Sequence, residues 1–435
     1  MTQLSRVAHR GCILHFLCDP GANERADAYE YWDSGALIVA GGRIEAVGPA
    51  AVLLPAGSDL SIVDHGQRLI VPGFIDTHIH YPQTDIIGAG GRNLLDWLEH
   101  YAFPAEQRFA DAHYARSVAD FFLDELLRNG TTTAQVLGTV HRSSIDAFFE
   151  AASARGLRMI AGKTLMDRLC PQALRDSAEE GEREMRELIA IWHGRERLHY
   201  AITPRFALTS STAQLQSAGR VAHDYPDVFI HSHLAENRDE VESVRKLFPE
   251  DRSYLDVYDR FGLLRERATY AHCIYLDGAD RTRLAASGAG AAFCPSSNLY
   301  LGSGLFDLAA SDAAGMRVAL ATDVGGGSSF SMLRTMGEAY KVAQLLGQPL
   351  GALRAFYLAT LAGAQMLGLA DKVGRFAAGT EADFVVLDPQ ATPLLAWRMA
   401  QARTLAERLL LFMVLGDDRA IAETYILGQA ALKRS

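Results

Sequence analysis

Runs of apolar residues alternate with helical patterns along the middle of the chain. Segments such as DAHYARSVADFFLDELLRNG and SMLRTMGEAYKVAQLLG have the apolar spacing of amphipathic helices. Eight other runs predict buried strands: VPGFIDTHIH, TTTAQVLG, RMIAGKTL, HYAITPRFAL, VFIHSHLAE, ATYAHCIYL, GAAFCPSS and RVALATDVG. This alternation predicts an α/β fold with a distorted (β/α)8 TIM-type barrel over residues 72–373. An open doubly wound sheet is the alternative, but eight repeats favour the barrel.

The two ends of the chain share a different pattern. Short apolar runs interrupted by Gly, Asp and Pro, as in AYEYWDSGALIVAGGRIEAVGP and GTEADFVVLDP, predict strands and hairpins. Two β-rich ends around a different middle suggest one small β-sandwich domain. Its first part is expected over residues 1–71 and its second part over residues 374–435.

Composition and charge limit the kinds of molecule that the protein is expected to bind. The net charge of −10 comes from interspersed acids and bases without a basic stripe, so we expect no nucleic-acid or membrane-surface binding. The apolar runs are shorter than the roughly 20 residues of a membrane helix. The five cysteines form no CxxC pair, which suits free thiols in a reducing compartment, and we expect a cytoplasmic protein.

Polar and ionisable residues follow most of the predicted strands. His78 and His80 point to the same side of their strand, because successive strand residues alternate faces. The carboxyl ends of parallel barrel strands meet at one mouth, so residues far apart in sequence converge there. The candidates for that mouth are His78, His80, Gln83, Arg205, Phe206, His231, His233, Glu236, His272 and Asp323.

Three of the imidazoles and one carboxylate predict a metal site. His78, His80, His233 and Asp323 form a donor set suited to a divalent ion such as zinc, with a position left for water. Iron is an alternative, since imidazole and carboxylate accept several metals. A water bound to zinc has its pKa lowered to about 7, which provides hydroxide at neutral pH. Asp323 is expected to act as ligand and base rather than only as a helix cap.

Three further residues each have more than one possible role. His231 is in phase with His233 on the same strand, but His233 lies nearer the strand end, so His231 is interpreted as packing behind the ligands. His272 could be a fourth ligand, although a role as hydrogen-bonding neighbour of the metal-bound water is favoured. Lys163 could bridge two metals if carbamylated. Because no additional ligands are evident, it is interpreted as a structural or supporting group, and one metal per subunit is expected.

The remaining candidates suggest proton transfer and recognition of a flat ring. A carboxyl such as Glu236 can carry a proton to a ring nitrogen and then to a departing amine, although it also opens an acid-rich helix. Arg205 and Gln83 offer donors and an acceptor for the polar edge of a ring. Phe206 and Trp97 could stack on it, although core packing is the commoner role of a single aromatic residue.

Several motifs resemble those of the guanine deaminase family within the amidohydrolase superfamily. They are THIHYPQTD, NGTTTA, TPRFALTSS, SHLAENRDE, AHCIYL, FCPSSNLYLGSGLF and ATDVGGGSSFSML, and the resemblance covers nearly the whole chain. HIH alone marks only the superfamily, whereas HYPQ, the PRF step and SHLAEN together are more specific. Ala235, within HLAEN, is the main departure and is conservative. The H-x-E…P-C-x-x-C signature of deaminases with an unrelated fold is missing.

The resemblance implies zinc-dependent hydrolytic deamination of guanine to xanthine and ammonia. It assigns zinc to His78, His80, His233 and Asp323, the purine to Gln83, Arg205 and Phe206, proton transfer to Glu236, and a place beside the metal-bound water to His272. The expected partners are the purine substrate and water, and a homodimer is expected. The alternatives are a deaminase or chlorohydrolase of another aminopurine, pterin, nucleoside or triazine, and a barrel that serves only as a scaffold.

Overall fold

The strands of the structure lie in the two regions predicted above, the middle of the chain and its two ends. A computed structural model describes residues 6–91 and 93–433. The strands are β1 (Arg6–Phe16), β2 (Tyr29–Ala40), β3 (Arg43–Pro49), β4 (Ser61–Pro72), β5 (Phe74–His80), β6 (Thr131–Leu137), β7 (Arg158–Gly162), β8 (Thr164–Leu165), β9 (Leu198–Pro204), β10 (Phe229–Leu234), β11 (Ala268–His272), β12 (Gly290–Phe293), β13 (Arg317–Leu320), β14 (Phe384–Leu387), β15 (Ile421–Ile426) and β16 (Gln429–Lys433).

Helices occupy most of the segments between the strands of the middle region and some of those between strands of the chain ends. They are α1 (Ala50–Leu53), α2 (Leu94–Trp97), α3 (Phe103–Gln107), α4 (Ala112–Arg128), α5 (Arg142–Ala154), α6 (Ala178–Trp192), α7 (Thr212–Asp224), α8 (Arg238–Leu247), α9 (Tyr254–Arg260), α10 (Gly278–Ser287), α11 (Pro295–Tyr300), α12 (Leu308–Ala313), α13 (Met332–Leu345), α14 (Ala352–Leu358), α15 (Leu361–Met366), α16 (Pro393–Met399) and α17 (Leu405–Leu415). A π-helical turn, Leu98–Ala102, joins α2 to α3. Among the described residues, no helix is both long and apolar enough to cross a bilayer.

The eight predicted strands of the middle region form one sheet. Its order is β13-β12-β11-β10-β9-β7-β6-β5, and the short β8 pairs with β9. The last strand also meets the first: the amide of Asp323 donates to the carbonyl of His78 at 3.0 Å, and the amide of His80 donates to that of Val324 at 2.9 Å. Every residue of β5, β6 and β10 is buried, as expected of parallel strands that are covered on both faces. The predicted barrel is confirmed.

The terminal segments build a separate mixed sheet. Its seven strands have the order β16-β15-β14-β4-β1-β2-β3, so strands from both chain ends lie side by side. The prediction that the two ends form one β-rich unit is therefore confirmed. Its core includes Ile13, Leu37, Ile70, Phe384 and Tyr425, which are 5% exposed or less. The register of β1 shifts between Gly11 and Ile13, which is a bulge in its pairing with β2.

The described chain divides into two compact units. One contains the residues up to Ile75, Glu125–Thr133 and the residues from Ser331 onward. The other contains Asp76–Asp124 and Ala134–Phe330. The domain bounds at residues 71 and 373 stay a prediction. All candidate site residues identified from the sequence lie in the second unit.

Candidate active site

Four ligand atoms from β5, β10 and the segment after β13 meet at one point. The Nε2 atom of His80 lies 3.2 Å from Nε2 of His78 and 3.1 Å from Nε2 of His233. The Oδ1 atom of Asp323 lies 3.1 Å from Nε2 of His78 and 3.3 Å from Nε2 of His80. Nitrogen and oxygen ligands bound to one zinc ion at about 2.0–2.2 Å would lie roughly 3–3.5 Å apart. The donor set therefore fits one such ion in both chemistry and spacing.

His272 is the fifth group at this point. Its ligand atom lies within 4.8 Å of those of His78, His233 and Asp323, so this looser set could also hold a metal ion. However, Nε2 of His272 is 3.7 Å from the nearer oxygen of Asp323, which is farther than Nε2 of His80. The set that includes His80 is the tighter of the two, and it is the candidate metal-binding group.

The ligand histidines are oriented by the groups behind them. Nδ1 of His233 donates to the carbonyl oxygen of Arg205 at 2.6 Å, so its Nε2 lone pair points to the centre. Nδ1 of His78 lies 2.7 Å from Nε2 of His231, which places His231 behind the ligands. Burial lowers the pKa of His78 to about 3. Burial would raise the pKa of Asp323, but His78 and His80 outweigh it and hold that pKa well below its ordinary value.

The backbone turns sharply where the strands deliver these groups. His272, Asp323 and Ala235 have φ angles of 71°, 50° and 51°, in the left-handed region that residues with a side chain seldom adopt. Such strain concentrates at functional sites because the surrounding structure has to enforce it. Ala235 directly precedes Glu236, whose side chain lines the cavity.

Glu236 and His272 form a second polar group beside the ligands. The hydroxyl of Ser303 donates to Oε1 of Glu236 at 2.8 Å, and Oε2 lies 3.4 Å from Nε2 of His272. Nδ1 of His272 is 2.9 Å from Oδ1 of Asn298, an acceptor, so Nδ1 carries a proton. Burial raises the pKa of Glu236. Burial would lower the pKa of His272, but the carboxylates of Glu236 and Asp323 raise it.

The four residues expected to read the ring line the same cavity. Arg205 and Phe206 follow β9, Gln83 lies just after β5, and Trp97 ends α2. His80, His233, Glu236, His272 and Asp323 also line this cavity. Leu98 and Phe206 also line a second groove of about 460 Å³. The structure therefore brings three of the four candidate metal ligands, the candidate proton carrier and the candidate ring readers to one cavity.

Some contributors were not identified from the sequence. Glu106 of α3 is fully buried and contacts both Arg205 and Gln83. Asn298 and Ser303 lie within the quoted motif FCPSSNLYLGSGLF, which was the only signal for them.

Lys163 lies apart from the metal-binding group. It pairs with Asp176 and also lies 3.4 Å from Glu184. This pairing is consistent with the structural role preferred for it, since both partners are carboxylates outside the donor set.

The barrel, the histidine and aspartate side chains at its strand ends and the sheet formed by both chain ends are features of a metal-dependent hydrolase. The model of the amidohydrolase family matches residues 69–431, and the chain belongs to this family. It is 48% identical to guanine deaminase of Escherichia coli over 415 residues, which are 95% of this chain and 94% of that protein.

Solved structures agree with this similarity. A structure of E. coli guanine deaminase superposes with a TM-score of 0.95 at 46% identity, covering 99% of this chain and all of that one. A guanine deaminase from C. acetobutylicum with guanine in its active site superposes with a TM-score of 0.88 at 28% identity, covering 98% and 100% of the two chains.

Proposed function

We propose that the protein hydrolyses guanine to xanthine and ammonia. The observation that supports the proposal is that one cavity is lined by Gln83, Arg205, Phe206 and Glu236 together with members of the histidine and aspartate cluster. The similarity to guanine deaminases over nearly the full length supports the choice of substrate. The reaction balances as guanine plus water giving xanthine plus ammonia, with no other reactant.

Zinc is the proposed metal, with one ion per chain held by His78, His80, His233 and Asp323. Imidazole nitrogens and carboxylate oxygens are ligands that zinc accepts, and with four of them a water would take a fifth position. A zinc ion in this position supplies Lewis acidity and a water that ionises near neutral pH.

Asp323 and Glu236 are proposed to move the protons. Asp323 accepts the proton of the attacking water as oxygen bonds to C2 of guanine. Glu236 donates a proton to ring N3, which receives the electron pair of the C=N bond. When the C2–N bond breaks, the C2 hydroxyl gives its proton to Glu236 as its oxygen becomes the oxo group of xanthine. The amino group receives the proton held by Asp323, directly or through Glu236, and leaves as ammonia, so both carboxyl groups return to their initial state. His272, held by Asn298, is proposed to form a hydrogen bond with the attacking water.

Arg205 and Gln83 are proposed to bind the polar edge of the ring, with Phe206 and Trp97 packing against it. Arg205 supplies donors for the oxo group of guanine. Phe206 is 3% exposed and its ring centre lies 6.2 Å from that of His233, so it flanks the space next to the ligands. A buried site with matched polar groups rejects analogues that leave one of them unpaired. Adenine, whose amino group is at another ring position, is therefore expected to be a poor substrate.

We further propose a cytoplasmic homodimer. All five cysteines are free, which suits a reducing compartment. Equilibrium sedimentation of the purified protein tests the oligomeric state, and a mass near twice 47.4 kDa is expected.

Ammonia release tests the substrate assignment. Zinc-loaded protein is incubated separately with guanine, adenine, 2-aminopurine, a pterin and an amino-triazine, and ammonia and the oxo product are quantified. We expect guanine to have the highest kcat/KM and xanthine to be its product. Preferred release of ammonia from another substrate would contradict the assignment of guanine. Failure to act on any of them would contradict the proposed reaction class.

A further inference from the structure

Glu106 is a buried carboxylate that no step of the proposed reaction uses. Its side chain is fully buried, yet it lies beside two residues that line the cavity. A buried charge is costly unless it is paired, so its partners indicate its role.

The contacts of Glu106 join both polar ring readers. Oε1 of Glu106 accepts from Nε2 of Gln83 at 3.0 Å and from Nη1 of Arg205 at 2.7 Å. Oε2 accepts from the same Nη1 at 2.9 Å. A single guanidinium nitrogen occupies both oxygens, so the remaining nitrogens of Arg205 are not used by this carboxylate.

The contact with Glu106 also determines which way the amide of Gln83 faces. A carboxylate only accepts, so the NH2 group must point to Glu106 and the oxygen must point away. Oε1 of Gln83 then accepts from the amide of Gly325 at 3.3 Å. The contacts with Glu106 and Gly325 fix the orientation of the Gln83 amide, and its Nε2 also lies 3.4 Å from Nδ1 of His80.

The helical segment that carries Glu106 also forms part of the cavity wall. Phe103 and Glu106 are three residues apart in α3 and so lie on the same face of the helix. The guanidinium of Arg205 lies over the ring of Phe103 at 5.6 Å. Trp97 and Leu98, earlier in the same segment, line the cavity directly.

We propose that Glu106 is a positioning residue that orients Arg205 and Gln83 together and thereby sets selectivity for a purine with an oxo group. This inference rests on the proposed function. Neutralising Arg205 is the simpler role for Glu106. The two roles predict different results. Loss of a purely structural ion pair would lower the active fraction of the enzyme equally for every substrate. Misplacement of Arg205 and Gln83 would instead lower kcat/KM most for the substrate that these two residues bind.

The test uses three variants of the zinc-loaded protein. Glu106→Gln keeps the shape but places an NH2 group against Nη1 of Arg205. Glu106→Asp keeps the charge but withdraws it by one methylene. Glu99→Gln is the matched control, because Glu99 is exposed on the same segment and its substitution also removes one negative charge. Metal content and Tm are measured for each.

The substrates compared are guanine and 2-aminopurine, which lacks the oxo group. Where turnover of 2-aminopurine is below detection, its inhibition constant against guanine replaces kcat/KM. For Glu106→Gln we expect kcat/KM for guanine to fall at least 100-fold with a raised KM, and the value for 2-aminopurine to change less than 5-fold. Glu106→Asp is expected to shift the ratio in the same direction by about 10-fold, and Glu99→Gln to leave it unchanged.

The outcomes separate the inference from the proposed function. Wild-type protein that does not deaminate guanine contradicts the proposed function. Active wild-type protein with a variant ratio within 3-fold of the wild-type ratio overturns the role of Glu106 alone. If Glu106→Gln does not fold, Glu106→Asp decides. If neither variant folds, the residue is structural and the proposal is overturned.

Discussion

Replacing Glu236 by glutamine tests the proposed proton transfer with little change in shape. The side chain is 3% exposed, and glutamine retains an oxygen that can accept from Ser303 as Oε1 does at 2.8 Å. Folding and metal content are therefore expected to stay near those of the wild type. The amide, however, cannot carry a proton to N3 of the ring.

The expected loss follows from the contribution of a positioned acid–base group. Such a group accelerates proton transfer about 10²–10⁴-fold, so kcat is expected to fall by that factor, or about 3–5 kcal/mol in activation free energy. KM is expected to change little, because Glu236 acts on the reaction rather than on the edge of the ring held by Arg205.

The assay follows conversion of guanine to xanthine by absorbance, with the active fraction corrected for bound zinc. Glu242→Gln is the control, because this side chain is 46% exposed and pairs with Arg245 on the surface of α8. A Glu236→Gln enzyme with kcat within 10-fold of the wild type would refute the proton-transfer role.

Three further predictions concern the metal site and stability. His233→Ala should lower bound zinc well below one per chain by elemental analysis; full occupancy would contradict its place among the ligands. Burial lowers the pKa of His9 to about 3, so folding stability is present above pH 6.5 and is lost as pH falls toward 3, by up to about 1.4 kcal/mol per pH unit. His9→Phe should flatten this acid dependence in urea unfolding between pH 6 and 4, and an unchanged slope would contradict it. Gly337→Ala should lower the unfolding free energy by about 1–3 kcal/mol, because its Cβ would lie 2.6 Å from the carbonyl oxygen of Met413. Gly90→Ala, with open space around its Cβ, is the control, and equal stability of the two variants would refute this reasoning.

The barrel could be predicted because each of its strands is recognisable from a short stretch of sequence. Each strand is an apolar run buried on both faces, and each run ends where polar residues begin. The position of His78, His80 and His233 at one mouth then follows from the parallel arrangement of the strands. The same reasoning placed Asp323 there, after the last strand.

The residues that contact the candidate site residues from behind could not be predicted in this way. Glu106 lies 99 residues before Arg205 and is on a short helix whose sequence, FPAEQ, gives no sign of a buried carboxylate. Its role depends on a contact between distant segments, which periodicity does not encode. Ser303 and Asn298 likewise act through Glu236 and His272, so only the folded geometry reveals them.

The choice between His231 and His233 shows what the alternation of side chains along a strand can and cannot predict. Both residues have the same phase on β10, and only their distance from the strand end separated them. In the structure Nε2 of His233 lies 3.1 Å from Nε2 of His80, whereas His231 contacts Nδ1 of His78 from behind.

The most direct test of the account is guanine conversion before and after removal of the metal. Protein is dialysed against a chelator, its zinc is measured, and xanthine formation is followed as zinc is added back. The account predicts negligible turnover without metal and recovery in proportion to bound zinc, up to one ion per chain. Undiminished xanthine formation by the metal-free protein, or no xanthine formation by the fully loaded protein, would contradict it.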